Sequence, residues 1–552
     1  MEKYFIESPA PTPNGGLHLG HIAGPYLAAD IFNRVSKING HKTFFACDLD
    51  RTQSYVRINH SKKNSNIDLN EFIQENTNLI KDTFAAYDIG FDYFNDTDND
   101  IRKQFIFDFI SPILKSKYIF QKEISFYFDD IGGNFLVEGF ISGECQECGT
   151  QVKGGFCEIC GYYNFSTEID KPYSTLHPER KLSRKNLSVY ILDIKSLSKQ
   201  IISLLDDVVI NYQIREMMKL FIIKNPCFPI TLPLIDGLQL GNPKTKLSPW
   251  IEVLCGTYFL KDIANTTLNC NSINEMIHVC FSGFDNAYYF TVICNAIRLC
   301  LNKNDFPIQY HMNRYYSIDG TKFSTSRNHA VWAHEILNEY DINMLRLFLA
   351  STHPENCNCN FNYNEFVNFA NEINIYKLED TIINHLMNNN EKHCLIQIKC
   401  SPIVIAENML SIIRSEPHAK MDNLFTLMQV LFPSLSTKII RKTAFCSHIV
   451  KKSTSSFTRE YGITAKRLMY LDEYNFTTSI GSIAKGEATH THKHDDISEI
   501  FYVINGSGDI FLNEEQSSIA DGDYIFVSPG TTHRLENNKC CNFVFLSIAW
   551  KV

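Results

Sequence analysis

A short segment near the N-terminus, residues 11–21 with the sequence PTPNGGLHLGH, places the strongest constraint on the fold of this chain. Residues 4–8 before it have the character of a short strand, and residues 22–36 after it carry apolar side chains at helical spacing. A strand, a tight turn and a helix begin a nucleotide-binding α/β unit, in which the helix N-terminus receives phosphate. His18 and His21 would then place donors beside a phosphoryl group that gains charge. Taken alone, the four residues HLGH also fit a capped helix with two surface histidines.

A second strand with polar residues at its end is predicted next. Residues 41–47 are apolar enough for a buried strand, and Asp48 and Asp50 follow where it ends. Ligands bind at the carboxyl ends of strands in open α/β sheets. We therefore expect Asp50 to contact a ligand; the alternatives are a solvated strand end, or Asp48 in the same role.

Four cysteines form two closely spaced pairs in the sequence C-x2-C-x8-C-x2-C. Each pair is followed by a glycine, Gly149 and Gly161. This spacing predicts a closed tetrahedral zinc site that stabilises the local fold and takes no part in chemistry. The predicted ligands are Cys145, Cys148, Cys157 and Cys160.

Composition places the protein among soluble cytoplasmic enzymes. The remaining cysteines are scattered, several in apolar contexts, which is typical of reduced thiols. No signal peptide is evident at the N-terminus, and no apolar run approaches the ~18 residues of a membrane span. A net charge of −9 argues against a protein whose main role is to bind a nucleic-acid backbone. We expect a cytoplasmic location and no membrane partner.

The pattern of strands and helices divides the 552 residues into several domains. Two stretches of alternating strands and helices read as the halves of one α/β catalytic domain, split by an insertion that carries the cysteines. A mainly helical region and a region of many short β runs, typical of a small barrel, complete the chain. The predicted domains are 1–114 and 227–330 (the two α/β halves), 115–226 (the insertion), 331–455 (helical) and 456–552 (all-β).

A loop with one lysine and several hydroxyl groups, residues 319–327 with the sequence DGTKFSTSR, lies some 300 residues after the HLGH segment. Lys322 could neutralise phosphate charge in a nucleotidyl transfer. Together, HLGH and KFSTS resemble the two signature motifs of class I aminoacyl-tRNA synthetases. The resemblance implies a Rossmann-type core that uses ATP and Mg²⁺ to activate an amino acid.

Within that class the chain resembles methionyl-tRNA synthetases over roughly residues 1–370. The resemblance includes residues 11–15, the cysteine knuckle, residues 249–252 (PWIE), residues 283–285 (GFD) and residues 322–332. It implies His18, His21 and Lys322 as catalytic residues. It implies ATP binding by Pro11, Asn14, Gly20, Asp285, Lys322, Ser324 and Ser326, and amino-acid binding by Ala10, Thr12, Asp50, Trp250, Asn286 and Phe290.

The chain also departs from that family. Ala10, Thr12, Asn286 and Phe290 stand at positions that form the methionine side-chain pocket. An unpaired buried amide such as that of Asn286 costs about 1–3 kcal/mol, so methionine is not the expected substrate. The second signature has Ser and Thr where a second lysine is usual.

The helical region lacks the features expected of an anticodon-binding domain. Only about 85 residues, 375–459, separate the core from the β region, and none of them is tryptophan. No tryptophan is thus present there to stack on an anticodon base. We expect a reduced anticodon-domain-like bundle and no tRNA partner.

The β region carries the motif G-x5-H-x-H-x4-E-x6-G over residues 486–506 and G-x7-G-x2-H-x3-N over residues 522–537. Because strand residues two apart face the same side, two of its histidines should point into the barrel. These motifs resemble those of the cupin family, with Ser528 where proline is usual. Zinc, iron, manganese and nickel all accept three histidines and a carboxylate, and we expect zinc. The predicted ligands are His492, His494, Glu499 and His533.

A synthetase core fused to a cupin resembles the hydrazine synthetases of natural-product biosynthesis. The resemblance implies small-molecule substrates: an amino acid that is adenylated and an N-hydroxylated amine, typically N6-hydroxylysine, that accepts it. The cupin would rearrange the ester to form an N–N bond. The alternatives are a methionyl-tRNA synthetase with an accessory cupin, another amide- or ester-forming bifunctional enzyme, and a cupin that serves only as a small-molecule sensor.

Overall fold

In the computed structural model the chain forms two compact units, residues 1–439 and 440–552. Each unit is described by itself. The described residues are 1–63, 66–96, 100–272, 275–302, 308–318, 321–322, 330–373, 401–414, 427–436, 458–460, 463–471, 476–539 and 542–551.

A six-stranded parallel sheet forms the centre of the first unit. Five of the six residues of Lys3–Ser8 are buried, as expected for a strand that is covered on both faces. The chain continues to one side of this strand first and later to the other, so the sheet has a switch point between Lys3–Ser8 and Ile277–Gly283. The strand order is Val209–Ile210, Ile308–Asn313, Ile277–Gly283, Lys3–Ser8, Lys42–Asp48 and Tyr93–Asn95.

Helices follow the strands of this sheet, as the sequence predicts. The predicted helix over residues 22–36 begins earlier, at Leu19–His21, and continues to Ile38. Ile22–Tyr26 forms a π turn, because Pro25 has no N–H to donate. The other α-helices of the sheet region are Ser54–Lys62, Leu69–Ala86, Asp100–Leu114, Pro249–Thr267 and Cys294–Cys300.

The inserted region is built on a long antiparallel pair of strands, Ile119–Asp129 and Leu182–Asp193. Residues 124–128, which have the pattern of a short β segment, lie within the first of these strands. Two short strands belong to the neighbouring sheets: Val209–Ile210 pairs with the core sheet and Cys227–Pro229 with the insertion sheet. Other strands there are Asn134–Leu136, Ile141–Glu144, Gln151–Lys153, Gly155–Phe156, Tyr163–Asn164 and Asp170–Ser174, and the helices are Ile194–Asp207 and Tyr212–Lys224.

Beyond the core sheet, a small three-stranded sheet contains the backbone of Lys322. Tyr316–Ile318 is its middle strand and pairs with Thr321–Lys322 on one side and Cys359–Phe361 on the other. Described helices in this part of the first unit are Ala333–Ile336, Ile342–Ser351, Tyr363–Glu372 and Pro402–Arg414.

The second unit is an antiparallel β structure of two sheets. Inward-facing residues such as Phe501, Val503 and Phe545 form its own apolar core. The larger sheet has the order Thr458–Glu460, Ile463–Leu471, Phe476–Ile483, Phe543–Lys551, Ile497–Asn505 and Tyr524–Val527. The smaller sheet has the order Glu515–Ala520, Ser507–Leu512 and His533–Glu536.

Within the described residues, none of the helices combines the length and the apolar character that crossing a bilayer requires.

Candidate functional site

The two histidines of the HLGH segment lie together at the start of the first helix. His18 is the N-cap residue, and its backbone N–H donates to Nδ1 of His21 at 3.2 Å. The two rings are stacked with their centroids 3.7 Å apart. Leu17 and Leu19 hold the segment by backbone hydrogen bonds to Ala333 and Val331. The pair of imidazoles therefore has a fixed place at a helix N-terminus.

A cavity of about 260 Å³ opens beside these histidines, at the switch point of the sheet. We call it the first cavity. Four residues predicted to bind ATP, three predicted to bind the amino acid and the two histidines predicted to be catalytic line its wall. They are Ala10, Pro11, Thr12, Asn14, His18, Gly20, His21, Asp285 and Asn286.

Asp50 is buried and contacts Thr12 of the cavity wall. Its Oδ2 accepts from Oγ1 of Thr12 at 3.4 Å, and its Oδ1 is buried with no hydrogen-bond partner among the described residues. Burial and the nearby charge of Glu252 raise the pKa of Asp50 well above its usual value. A substrate ammonium would pair with the unmatched oxygen and favour the ionised form.

Asp48, the alternative to Asp50, is already engaged. Its Oδ2 accepts from Nη2 of Arg102 at 2.7 Å, and its Oδ1 accepts from Nδ2 of Asn95 at 2.7 Å. Asp50 is therefore the carboxylate that is open to a ligand on this side.

The remaining predicted amino-acid residues lie close by but do not line the first cavity. Trp250 packs face to face on Tyr289, with ring centroids 3.7 Å apart and the rings 5° from parallel. Phe290 is buried in the main core. Phe290 thus belongs to the main apolar core, and Trp250 packs against the same core from the helix Pro249–Thr267.

The second signature motif, KFSTS, lies only partly within the described residues. The backbone of Lys322 lies in the strand Thr321–Lys322. Ser324 and Ser326 lie outside the described residues, so their predicted contact with ATP stays a prediction.

A buried ionic network, which the sequence analysis did not predict, supports the site. Nη1 of Arg102 donates to Oε1 of Glu252 at 3.1 Å, and Oγ1 of Thr52 donates to Oε2 of Glu252 at 3.1 Å. Asp48 and Glu252 share one partner, Arg102, whose positive charge offsets part of the cost of burying the two carboxylates. Burial still raises the pKa of Glu252. One signal was available: Arg102 stands at helical spacing with Ile106 and Ile110 on an apolar face.

The structure brings the four knuckle cysteines together. All four sulfur atoms lie within 4.8 Å of one another. The two knuckles have the same geometry: the N–H of Gly149 donates to the carbonyl of Cys145, and the N–H of Gly161 to that of Cys157, both at 2.8 Å. Both glycines have a positive φ, +72° and +73°, which other residues rarely adopt. Four convergent thiols suit a closed zinc site.

The four predicted cupin ligands also converge. One ligand atom from each of His492, His494, Glu499 and His533 lies within 4.8 Å of the others. The predicted strand containing the first two histidines is wrong in detail: His492 forms only an isolated bridge with His533, and the regular strand begins at Ile497. An extended backbone still brings both side chains to the same side.

The donor set fits a divalent metal. Backbone carbonyls of His490 and Thr531 accept from Nδ1 of His492 and His533 at 2.9 and 3.1 Å. A carbonyl can only accept, so in these two rings Nε2 carries the lone pair that a metal needs. Oε2 of Glu499 is buried 3.3 Å from Nε2 of His533, and its Oε1 accepts from the hydroxyl of Ser547 at 2.5 Å.

The parallel sheet, its switch-point cavity and the HLGH segment define a class I synthetase core, and the second unit defines a cupin. A family model for tRNA synthetases class I (M) matches residues 4–388, and a cupin-domain model matches residues 479–549. This chain belongs to the tRNA synthetases class I (M) family, with a C-terminal cupin domain. The residues of the family match therefore form a class I synthetase-like domain.

Two curated relatives are similar over the same region. The methionine–tRNA ligase of Pyrococcus furiosus is 27% identical over 401 residues, covering 67% of this chain and 54% of the relative. That of Methanococcus aeolicus is 25% identical over 387 residues, covering 66% and 55%. The chain thus spans about half the length of these relatives. A structure of the Mycobacterium tuberculosis methionyl-tRNA synthetase with methionyl-adenylate has a TM-score of 0.57 at 13% identity, over 81% of this chain and 97% of that one, which shows a shared fold.

Proposed function

We propose that this chain is an ATP-dependent hydrazine synthetase that uses small-molecule substrates and not tRNA. It adenylates an amino acid, esterifies it onto the hydroxylamine oxygen of an N-hydroxylated amine such as N6-hydroxylysine, and rearranges the ester in the cupin to form an N–N bond. One observation carries the proposal: the chain combines a synthetase cavity with a second centre of three histidines and a buried glutamate. Carboxylate activation and ester rearrangement are different reactions, and each has a suitable site.

The first cavity performs the activation. The carboxylate oxygen of the amino acid attacks the α-phosphorus of ATP, and pyrophosphate leaves. His18 and His21 stabilise the charge that develops on the phosphates, and Lys322 adds a cation. Asp50 orients the substrate by binding its ammonium group.

Ester formation follows at the adenylate. The hydroxylamine oxygen attacks the carbonyl carbon, a C–O bond forms, and the bond from that carbon to the phosphate oxygen breaks. AMP leaves with the electron pair, and the O–H proton passes to solvent. The energy of ATP is thereby retained in a reactive ester.

The cupin completes the reaction without an oxidant. The amine nitrogen of the esterified amino acid attacks the hydroxylamine nitrogen, the N–O bond breaks, and the carboxylate leaves with its electron pair while the attacking amine loses a proton. His492, His494, Glu499 and His533 would hold a divalent metal, for which we propose zinc. The chemistry that such a metal supplies when bound is Lewis acidity toward the ester.

Methionine–tRNA ligation is the second candidate, because both relatives above carry that name. Two polar residues in the first cavity oppose it. Thr12 and Asn286 line the wall. A thioether offers these groups no strong hydrogen bond, whereas a polar or small amino acid leaves room for water to satisfy them.

The test incubates the protein with ATP, single amino acids and N6-hydroxylysine, and follows AMP and product masses. We expect AMP release with one or a few amino acids and a condensed product containing an N–N bond. His492→Ala should stop the reaction at the ester. His490→Ala is the matched control, since His490 is exposed and contributes only its backbone carbonyl to the centre. Aminoacylated tRNA as the sole product would contradict the proposal.

A further inference from the structure

Two cysteines of the synthetase unit stand two residues apart, in the segment 356–360 with the sequence NCNCN. Cys357 is exposed, and Cys359, which begins the strand Cys359–Phe361, is half-buried. Neither belongs to the four-cysteine knuckle, and neither lines the first cavity. They form a pair of thiols that the proposed reaction does not use.

The two thiols interact in the structure. Burial and the neighbouring thiol of Cys357 raise the pKa of Cys359 to about 11. Even a fully extended chain separates Cα atoms two residues apart by only about 7 Å, and a disulfide accepts Cα separations of about 4.4–6.8 Å. The chain already bends at Cys357. A bridge between the two sulfur atoms therefore needs only a local change of the backbone at Asn358.

Asn358, the residue between the two cysteines, supports the wall of the first cavity. Its Oδ1 accepts from the backbone N–H of Tyr315 at 3.2 Å. The N–H of Cys359 donates to the carbonyl of Tyr315 at 3.0 Å. Tyr315 lines the first cavity. The cysteine segment thus holds both backbone polar groups of a residue in the cavity wall.

The same segment is joined to the strand that contains the backbone of Lys322. Cys359 is opposite Tyr316 in the three-stranded sheet, and Oγ of Ser317 donates to the carbonyl of Cys359 at 3.0 Å. Ser317 is in turn opposite Lys322. A change in the backbone of residues 357–359 is therefore transmitted by direct hydrogen bonds to the cavity wall and to this sheet.

We propose that Cys357 and Cys359 form a redox-active dithiol, which a low-molecular-weight disulfide such as oxidised glutathione converts to an intrachain disulfide that loosens the wall of the first cavity. Closing so small a ring bends the backbone at Asn358, and the hydrogen bond from Tyr315 is lost. Reduction by free thiols restores it. The formation of the disulfide is independent of the proposed function, whereas its effect on amino-acid activation rests on that function.

The oxidation is a pair of thiol–disulfide exchanges. The thiolate of the exposed Cys357 attacks one sulfur of oxidised glutathione, a new S–S bond forms, and the first glutathione leaves and takes up a proton. Sγ of Cys359 then attacks the sulfur of Cys357, and the second glutathione leaves with the proton of Cys359. Two protein thiols are oxidised, and one glutathione disulfide is reduced to two thiols. Reversible disulfides of this kind are the usual form in reducing compartments.

The first experiment treats the full-length, metal-loaded protein with oxidised glutathione, alkylates the remaining thiols and maps the cysteine peptides by mass spectrometry. We expect the peptide with Cys357 and Cys359 to be two hydrogen atoms lighter and unalkylated. Dithiothreitol should return it to the alkylated form. Free thiols at both positions, or a mixed disulfide with glutathione as the only product, would overturn the proposal.

The second experiment measures the effect on the first cavity. ATP binding by titration calorimetry and ATP–pyrophosphate exchange are compared before and after oxidation. We expect the affinity for ATP to fall about tenfold, which the loss of one hydrogen bond that holds the wall can produce. Affinity and exchange that both stay unchanged in the bridged protein would overturn the proposal.

Variants separate the bridge from other effects of the oxidant. Cys357→Ser should keep the ATP affinity of the reduced protein and lose the response to oxidised glutathione. Cys270→Ser is the matched control and should respond like the unmodified protein, because Cys270 is partly exposed, lies outside the knuckle and has no second cysteine within two residues. Asn358→Ala removes the hydrogen bond from Tyr315 without a disulfide and should lower the ATP affinity of the reduced protein. A full response in Cys357→Ser, or full affinity in Asn358→Ala, would contradict the proposal.

These measurements distinguish the inference from the proposed function, because disulfide mapping and ATP affinity require neither an amino acid nor a hydroxylamine. A reversible disulfide that lowers ATP affinity, in a protein that forms no N–N bond, would support the inference and contradict the proposed function. Formation of the N–N bond with an ATP affinity that oxidised glutathione does not change would leave the proposed function standing and overturn the inference.

Discussion

At the scale of single residues, Asp50 is a carboxyl group whose pKa the fold shifts. It is buried beside Asp48 and Glu252, and burial together with the charge of Glu252 raises its pKa. In the unfolded chain an aspartate has a pKa of about 3.9. Between that value and the raised value, the folded protein binds one proton more than the unfolded chain. Stability must therefore fall as pH rises through this window.

Asp50→Asn should remove this pH dependence. The amide cannot ionise, so the variant should be more stable than the unmodified protein above the window and nearly equal to it at pH 4. The gain is about 1.4 kcal/mol for each unit by which the pKa is raised. Urea unfolding of the first unit between pH 4 and 8 measures it. Asp170→Asn, an exposed aspartate, is the control, and parallel pH profiles for Asp50→Asn and the unmodified protein would refute the expectation.

The same residues mark the limit of what the sequence predicts. The HLGH segment, the two cysteine pairs and the cupin motif are local patterns, in which a few residues at fixed spacing must serve one geometry. The partnership of Asp48, Arg102 and Glu252 joins three distant parts of the chain, and no local spacing encodes it. Arg102 was visible only as a charge on an apolar helix face.

At the scale of elements, the cysteine knuckle is tied to the helix Tyr212–Lys224. Nδ2 of Asn225 donates to the carbonyl of Gly161, and Oδ1 of Asn225 accepts from the N–H of Tyr163, both at 2.7 Å. A Cβ added to Gly161 would meet the ring of Phe221 at 2.1 Å. The knuckle is therefore packed against its neighbours and does not stand alone.

Cys157→Ser should remove about one bound zinc per chain, because a structural site needs all four thiolates. The variant should also melt at a lower temperature, since the packing around Gly161 depends on the knuckle geometry. Metal analysis and a thermal scan measure both effects. Cys357→Ser, an exposed cysteine outside the knuckle, should change neither. Full zinc content in Cys157→Ser would show that the four thiols do not form the site.

Element boundaries were harder to predict than motifs. Val209–Ile210 has only two residues, yet it extends the core sheet from within the predicted insertion. A strand of this length has too few residues for a periodic pattern. Its place follows from pairing with Ile308–Asn313, which is a long-range contact.

At the scale of the whole molecule, the two units have separate apolar cores. The second unit buries its own set, which includes Ile483, Phe501 and Phe543. Domains with their own cores can unfold as separate cooperative units. We therefore expect two transitions in a calorimetric scan, each of which responds to the ligands of its own unit.

Ligands and variants should assign these transitions. ATP with the activated amino acid binds the folded first unit and should raise only its transition, by about 2.7 kcal/mol at a concentration of 100 Kd. His492→Ala removes a metal ligand and should lower only the transition of the second unit, because metal binding contributes to the stability of the site that it closes. His490→Ala should move neither. A single transition that shifts as a whole with either change would mean that the two units unfold together as one cooperative unit.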